Sequence, residues 1–478
     1  MRKILYYSDL TNPCIDWVFE FFSTSIGCAF HRTPERHLAS IVYSTQSTDS
    51  TQFHIPVWNE YYDKNAEHCL NRGHYWVPVG MQDTNLFIDY VGFVFRLLNL
   101  FDELVIPSTD RDSLGNLLIK VHPRRMEFLD RPMVDEVLQI FKQKLVEYGL
   151  LRDNELLPRW PGGKRYAVLI THDTDGPCLL EPKELAKAGV KGFLKLNGKE
   201  RAAFFEGCRR ILTGLPDPYF NFAPWAEFEQ SLNVKSAFYI YVHNNRVPGH
   251  FHNPVYRLST SQTKWNILHE LSELGWEIGL HASIHALEED SYIQAEKNDL
   301  ENFLGKSIAG NRCHYWHINW RMPEESFRRL ERAGIAYDCS IAWRGEVGFR
   351  SATTVPYHPY DSQNSRGFTL LEIPTNVMDG HLFHYQPVSD PNRRFATILE
   401  QVRAHGGILN LDWHTCTWVD DFSHKGVRSF LVQELQEIVS TGEAWFTTPE
   451  EIANYWQKRA QHLHQNALSA NAISLSDN

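Results

Sequence analysis

From about Pro158 onward the chain alternates short, β-rich apolar runs with amphipathic helical patterns, and this alternation limits the fold more than any other feature of the sequence. Strands separated by a helix each time are joined in parallel, every connection crossing over through its helix. The runs predict strands over Tyr166–Thr171, Val234–Val242, Trp276–Leu280, Ile335–Tyr337, Thr369–Ile373, Ile408–Asp412 and Trp445–Thr447, with a further short one around Arg312. Helices fit between them, such as Thr263–Leu274 stopped by Gly275, Glu324–Ala333 stopped by Gly334 and Arg393–His405 stopped by Gly406. Seven or eight βα units predict an α/β barrel, whose site is built from the residues that follow the strand C-termini.

The region before Pro158 lacks this regularity. A strand at Ile4–Tyr7 and apolar helical patterns at Ile15–Phe22, Tyr90–Leu100 and Met133–Tyr148 are its clearest features. Leu151–Lys164, with Pro158 and Pro161-Gly162-Gly163, breaks both periodicities and reads as a linker. At 478 residues the chain exceeds one ordinary core, so the expected division is an accessory domain over 1–155, a barrel over 160–460 and a polar tail over 465–478.

Charge and cysteine usage narrow the partners. The net charge of −11 argues against nucleic-acid and anionic membrane-surface partners. No run reaches the ~18 apolar residues of a spanning helix, and the start, MRKILYYSDL, has too short an apolar stretch for a secretory signal. The eight cysteines are scattered without a CxxC pair, which fits a reducing compartment, and the cytoplasm is the expected location.

Four segments carry candidate chemistry. Asp173 and Asp175 follow the first barrel strand; carboxylates one residue apart at a strand end can enter one cleft, although an Asp-rich turn before Gly176-Pro177 reads the same in isolation. His281 and His285 follow the third; in a helical turn they would share a face and bind one ion, while in a chain with 23 histidines such a spacing also arises by chance. His414, beside Trp413 at the end of a late strand, reads as a general acid or a hydrogen-bonded wall residue. Arg312 reads as a guanidinium paired with a carboxylate such as Asp173, or as a surface residue. Two histidines and a carboxylate together make the three-ligand set of a catalytic zinc site.

In this order the segments resemble the NodB-homology polysaccharide deacetylases, carbohydrate esterase family 4, over roughly residues 165–455. Gly310-Asn311-Arg312-Cys313-His314-Tyr315, Tyr337-Asp338-Cys339-Ser340 and Gly348-Phe349-Arg350 match a bacterial subgroup with a Thr-His-Asp-x-Asp motif. Tyr90–Leu98 is similar to part of the smaller α/β domain that precedes its barrel. The resemblance implies a (β/α)7–8 deacetylase barrel in which Asp175, His281 and His285 hold a divalent ion, zinc above all. It implies Asp173 as general base, His414 as general acid, Arg312 holding Asp173, and Tyr315 and Trp413 near substrate. Two departures are Ala282, where Ser or Thr is usual, and the spacing of the two aspartates.

The expected activity is hydrolytic removal of acetyl groups from N-acetylated amino sugars of a glycan or its precursor. A glycosyltransferase using Asp173-Thr174-Asp175 as a DxD site leaves the three histidines without roles, and a non-catalytic carbohydrate-binding relative is the other alternative.

Overall fold

Alternation in Lys3–Ser8 buries every second side chain and makes β1. With β2 (Ala29–Arg32), β3 (Ile41–Ser44) and β4 (Phe53–Pro56) it forms a four-stranded parallel sheet in the order β2–β1–β3–β4. Helices Cys14–Ile26, Tyr90–Leu98 and Met133–Glu147 supply the apolar surface against it: Phe22, Phe53 and Tyr90 all pack on the Phe141 ring. The structure is a computed structural model that describes residues 3–46, 51–58, 62, 89–122, 126, 128–384, 389–420 and 423–474. Cys69 lies outside the described residues, and the other seven cysteines are free thiols.

Tyr166–Asp173 is an unbroken apolar run ending in polar residues, the pattern of a strand covered on both faces, and it forms β5. The strands that follow are β6 (Ala237–Ile240), β7 (Glu277–Ala282), β8 (Gly310–Cys313), β9 (Tyr337–Asp338), the small antiparallel pair β10 (Tyr360–Asp361) and β11 (Arg366–Gly367), then β12 (Leu371–Glu372), β13 (Val377–Met378), β14 (Ile408–Asp412) and β15 (Ala444–Thr447). All except β10 and β11 join one parallel sheet in the order β12–β9–β8–β7–β6–β5–β14–β13. Four residues separate β12 from β13, so Leu371–Met378 is a single extended segment that pairs with β9 at one edge and β14 at the other. The sheet therefore curls until one segment bridges its two edges, giving the expected α/β barrel architecture. β15 lies beside the first half of β5, and β6 beside the second half.

Residues 151–164, read as a linker, are pinned in place. Arg159 donates to Ser25 O at 2.7 Å and to His405 O at 2.6 Å, and the buried Trp160 donates to Gly406 O at 2.7 Å. One apolar core runs from the N-terminal sheet into the barrel. The last helix, Pro449–Ser474, takes in the first residues of the expected polar tail. Among the described residues no helix is long and apolar enough to cross a membrane.

Candidate active site

Side chains two residues apart on a strand share a face, and the barrel uses this rule three times at its C-terminal mouth. β5 delivers Asp173 and then Asp175; β8 delivers Arg312 and then His314; β14 delivers Asp412 and then His414. Cross-strand register places His281 of β7 directly beside Arg312.

Asp175 is the hub. Its Oδ1 lies 2.9 Å from His281 Nε2, and its Oδ2 lies 3.3 Å from His314 Nε2 and 3.4 Å from His414 Nε2. Burial alone would raise this carboxyl, but the positive charge of His314 and hydrogen bonds from His281, His314 and His414 hold it well below the usual carboxylate range. His281 Nδ1 is 2.9 Å from the Arg312 carbonyl oxygen, and donating there orients the ring with its Nε2 toward Asp175. Burial lowers His314, with the charge and hydrogen bond of Asp175 pulling the other way. The ligand atoms of Asp175, His281 and His314 lie within 4.8 Å of one another, and a second such group is Asp173, Asp412 and His414. Two imidazole nitrogens and a carboxylate oxygen aimed at one point are the donor set of a catalytic zinc site, which keeps a position open.

The second feature is a buried arginine between two carboxylates. Arg312 Nη1 donates to Asp173 Oδ1 at 3.0 Å and to Thr171 Oγ1 at 2.7 Å, and lies 3.4 Å from Asp412 Oδ1. Thr375 Oγ1 takes its other arm at 3.0 Å, and its guanidinium stacks 4.6 Å from the Tyr239 ring centroid. One cation cannot neutralise two acids. Burial and then the charge of Asp173 push Asp412 up to about 8, with Arg312 offsetting part of the rise. The Asp412 carboxylate lines the cleft, yet neither of its buried oxygens accepts a hydrogen bond.

The third feature is a histidine fixed by a carboxylate. His414 Nδ1 lies 2.8 Å from Asp379 Oδ1, and the His414 backbone N–H donates to Asp379 Oδ2 at 2.8 Å. Burial would lower His414, but Asp379, Asp412 and Asp175 reverse this and raise it well above its ordinary value. Asp379 in turn is held down to about 2 by the His414 charge, against the upward push of burial.

Two expected site residues are elsewhere. His285 is not brought to the cluster: β7 continues through Ala282, so no helical turn links the two histidines, and the following turn is tied by Ser283 N to Glu296 Oε2 (2.9 Å) and Ile284 N to Asn253 Oδ1 (3.1 Å). His285 is half-buried, its ring 5.3 Å from that of His250, and its Nδ1 pairs with Glu288 Oε1 at 2.7 Å. Trp413 alternates away from Asp412 and His414 into the core, fully buried and parallel to the Phe430 ring, so it offers no surface to a substrate. Tyr315 does line the cleft, in the left-handed region at φ 58° with Trp316 behind it at φ 49°, strain of about 1–3 kcal/mol each.

Three residues of the site, His314, Asp412 and Asp379, fall outside those expected from the sequence. Alternation from Arg312 points to His314, and alternation from His414 points to Asp412. Asp379 follows β13, a strand of two residues that no periodicity reveals.

The cleft divides at Asp175, Tyr315 and His414. One arm, a cavity of about 360 Å³, is walled by Leu117, Leu118 and Ile119 of the N-terminal region facing Trp316 and Met378 of the barrel. The other, about 720 Å³, is polar and bounded by helices Pro182–Leu194 and Gly198–Thr213, with Lys187, Lys191 and Lys199 along it.

No family model and no curated protein matches the chain. Among solved structures it is similar to a "putative polysaccharide deacetylase" from Mycobacterium smegmatis, at 18% identity over 64% of this chain and 93% of that one, with a TM-score of 0.41. A "probable polysaccharide deacetylase" from Pseudomonas aeruginosa PAO1 aligns at 15% identity over 66% and 97%, with a TM-score of 0.39. An allantoinase aligns at 14% identity over 64% and 96%, with a TM-score of 0.39. Likenesses of this degree identify no family and no reaction.

Proposed function

We propose that this protein is a metal-dependent hydrolase that removes acetyl groups from N-acetylated amino sugars of a glycan or glycan precursor. The observation that supports it is one cleft holding a three-ligand cluster, an arginine-held carboxylate and a carboxylate-held histidine as separate units. Asp175, His281 and His314 would hold the ion, zinc above all; His314 takes the place expected of His285. A divalent cation bound there supplies Lewis acidity toward an acyl carbonyl and stabilises the charge that develops on its oxygen.

The chain's own residues do the rest. Arg312 holds the Asp173 carboxyl group in place at the cleft, where Asp173 takes a proton from the attacking water. The water oxygen bonds to the acetyl carbon, the C–N bond breaks, and His414 Nε2 gives its proton to the departing nitrogen, leaving acetate and a free amine. Asp379 on Nδ1 fixes that direction of transfer. Tyr315 bounds the substrate site. The unpaired cysteines support a cytoplasmic setting, and the sugar-sized polar arm supports a carbohydrate substrate without nucleic acid.

Acetate release from a panel of N-acetylated sugars and glycans, with and without chelator, tests the reading. The expected result is release from at least one substrate, abolished by chelator and restored by zinc. No release from any of them by zinc-loaded protein refutes it.

A further inference from the structure

Between β5 and β6 the chain forms a helical hairpin with an exposed apolar surface. Its helices, Pro182–Leu194 and Gly198–Thr213, pack through small residues: a Cβ on Gly192 would meet the Arg201 backbone nitrogen at 2.7 Å, and one on Gly189 would meet the Phe204 ring at 3.0 Å. Phe204 and Leu185 pack into the space that glycines leave between the helices, while Phe193 and Phe205 stay exposed. At the tip every residue from Phe193 to Lys199 is exposed, with Leu194 at 80% and Leu196 at 75%. Val190, Phe193 and Phe205 continue the apolar surface, the two phenylalanine rings meeting at 5.9 Å.

Charge on this hairpin runs against the rest of the chain. Lysines recur at 183, 187, 191, 195 and 199, and Arg201, Arg209 and Arg210 join them against only Glu184, Glu200 and Glu206. The segment carries +5 in a chain of −11. All three glutamates are engaged, Glu184 by Lys187, Glu200 by Lys191 and Glu206 by both Arg209 and Arg210. At 100° per residue Val190, Phe193 and Leu194 fall in one sector, and Lys187, Lys191 and Lys195 in the sector beside it, with the buried Ala188, Gly189 and Gly192 opposite. A convex apolar tip collared by cations is complementary to the headgroup boundary of an anionic bilayer, which takes up apolar side chains and attracts lysine from below a Debye length.

We propose that the tip of this hairpin, Val190–Lys199 with Phe205, docks the protein on anionic membrane surfaces. The local charge thus overrides what the net charge of −11 suggests about membranes. The hairpin also bounds the polar arm of the cleft, so docking sets that arm facing the headgroup layer.

The test is co-sedimentation of the full chain with vesicles of phosphatidylglycerol mixed into phosphatidylcholine, and with phosphatidylcholine alone. It reads binding and not turnover, so it stands or falls separately from the hydrolase reading. The expected result is binding to the anionic vesicles that weakens as salt rises. Phe193→Ser/Leu194→Ser/Leu196→Ser should weaken it on the order of a hundredfold, and Lys195→Glu by about fivefold or more. An unchanged unfolding midpoint identifies a folded variant, and Lys195→Glu carries the test if the triple variant does not fold. The proposal is overturned if wild type does not bind anionic vesicles, or if both variants bind as it does. It is also overturned if wild type ignores vesicles and is instead a dimer that the triple variant dissociates, which assigns the patch to a second copy of the chain.

Discussion

The floor of the cleft and its rim are built by different means. The floor is placed by strand ends: Asp173, His281, Arg312 and Asp412 are fully or almost fully buried, and Arg312, from β8, meets all three others, through its carbonyl oxygen to His281 and its guanidinium to the two carboxylates. The rim comes from excursions, Leu117–Lys120 on one side and the hairpin Pro182–Thr213 on the other, in which exposed residues such as Leu118, Lys120 and Lys199 alternate with buried ones such as Leu117, Ile119 and Ala188. Strand geometry is the more exacting constraint, so substitutions in the floor should abolish metal or turnover, and substitutions in the rim should grade affinity.

The largest effect sharpens the floor itself. His314→Ala should weaken metal binding on the order of a hundredfold or more, because a three-ligand site loses one donor, whereas His285→Ala should leave metal content within about twofold. Metal analysis of the two purified variants decides between the histidines, and the opposite pattern restores His285 to the site. Next come the proton carriers. Asp173→Asn and His414→Gln should keep the metal and lower kcat by ~10²–10⁴; an Asp173→Asn protein that arrives without metal means the roles of the two aspartates are exchanged.

A subtler effect concerns Asp412. With its carboxyl pushed up to about 8 by burial and Asp173, the folded metal-free protein holds a proton that the unfolded chain, with a carboxyl near ~4, has released. The native state then binds more protons than the unfolded state between about pH 4 and about pH 8, so stability falls as pH rises through that window. Asp412→Asn should remove this fall, seen as unfolding midpoints of chelated variant and wild type that diverge from about pH 5 to about pH 8. Parallel curves would mean that Asp412 is ionised in the folded protein. The smallest effect is in the rim: Leu118→Ser should raise KM up to about tenfold with kcat unchanged, and a loss of kcat would move that segment into the floor.

The same division explains what could be read from the sequence. β5, β7 and β14 are apolar runs whose ends are visible without a structure, so Asp173, Asp175, His281 and His414 are legible as residues at strand ends. His285 stands at helical spacing from His281, but the strand continues to Ala282 and the next turn carries His285 away from the cluster. Trp413 misleads for the converse reason, since strand alternation past Asp412 turns it inward. His314 was legible by the rule that found Arg312. The rim was not legible, since Leu117–Lys120 reaches the cleft through tertiary packing alone; β12 falls within the expected strand Thr369–Ile373, whereas β13, beyond Pro374, is a two-residue pairing too short for any periodicity.

The pairing of β5 has a consequence for biogenesis. Tyr166–Leu169 is flanked by β14 on one edge and β15 on the other, while β6 reaches only Thr171–Asp173. Both partners of this apolar half-strand are encoded far downstream, as the 240-residue span from Thr171 to Leu411 shows. At roughly 5–20 residues per second a ribosome needs roughly 10–50 s to supply them. For that interval the nascent chain carries Tyr-Ala-Val-Leu with two bare edges, a template for mispairing. This half-strand is therefore the segment that a trigger-type holdase or a slowed codon stretch would most protect, and the point from which co-translational aggregation of this protein would start.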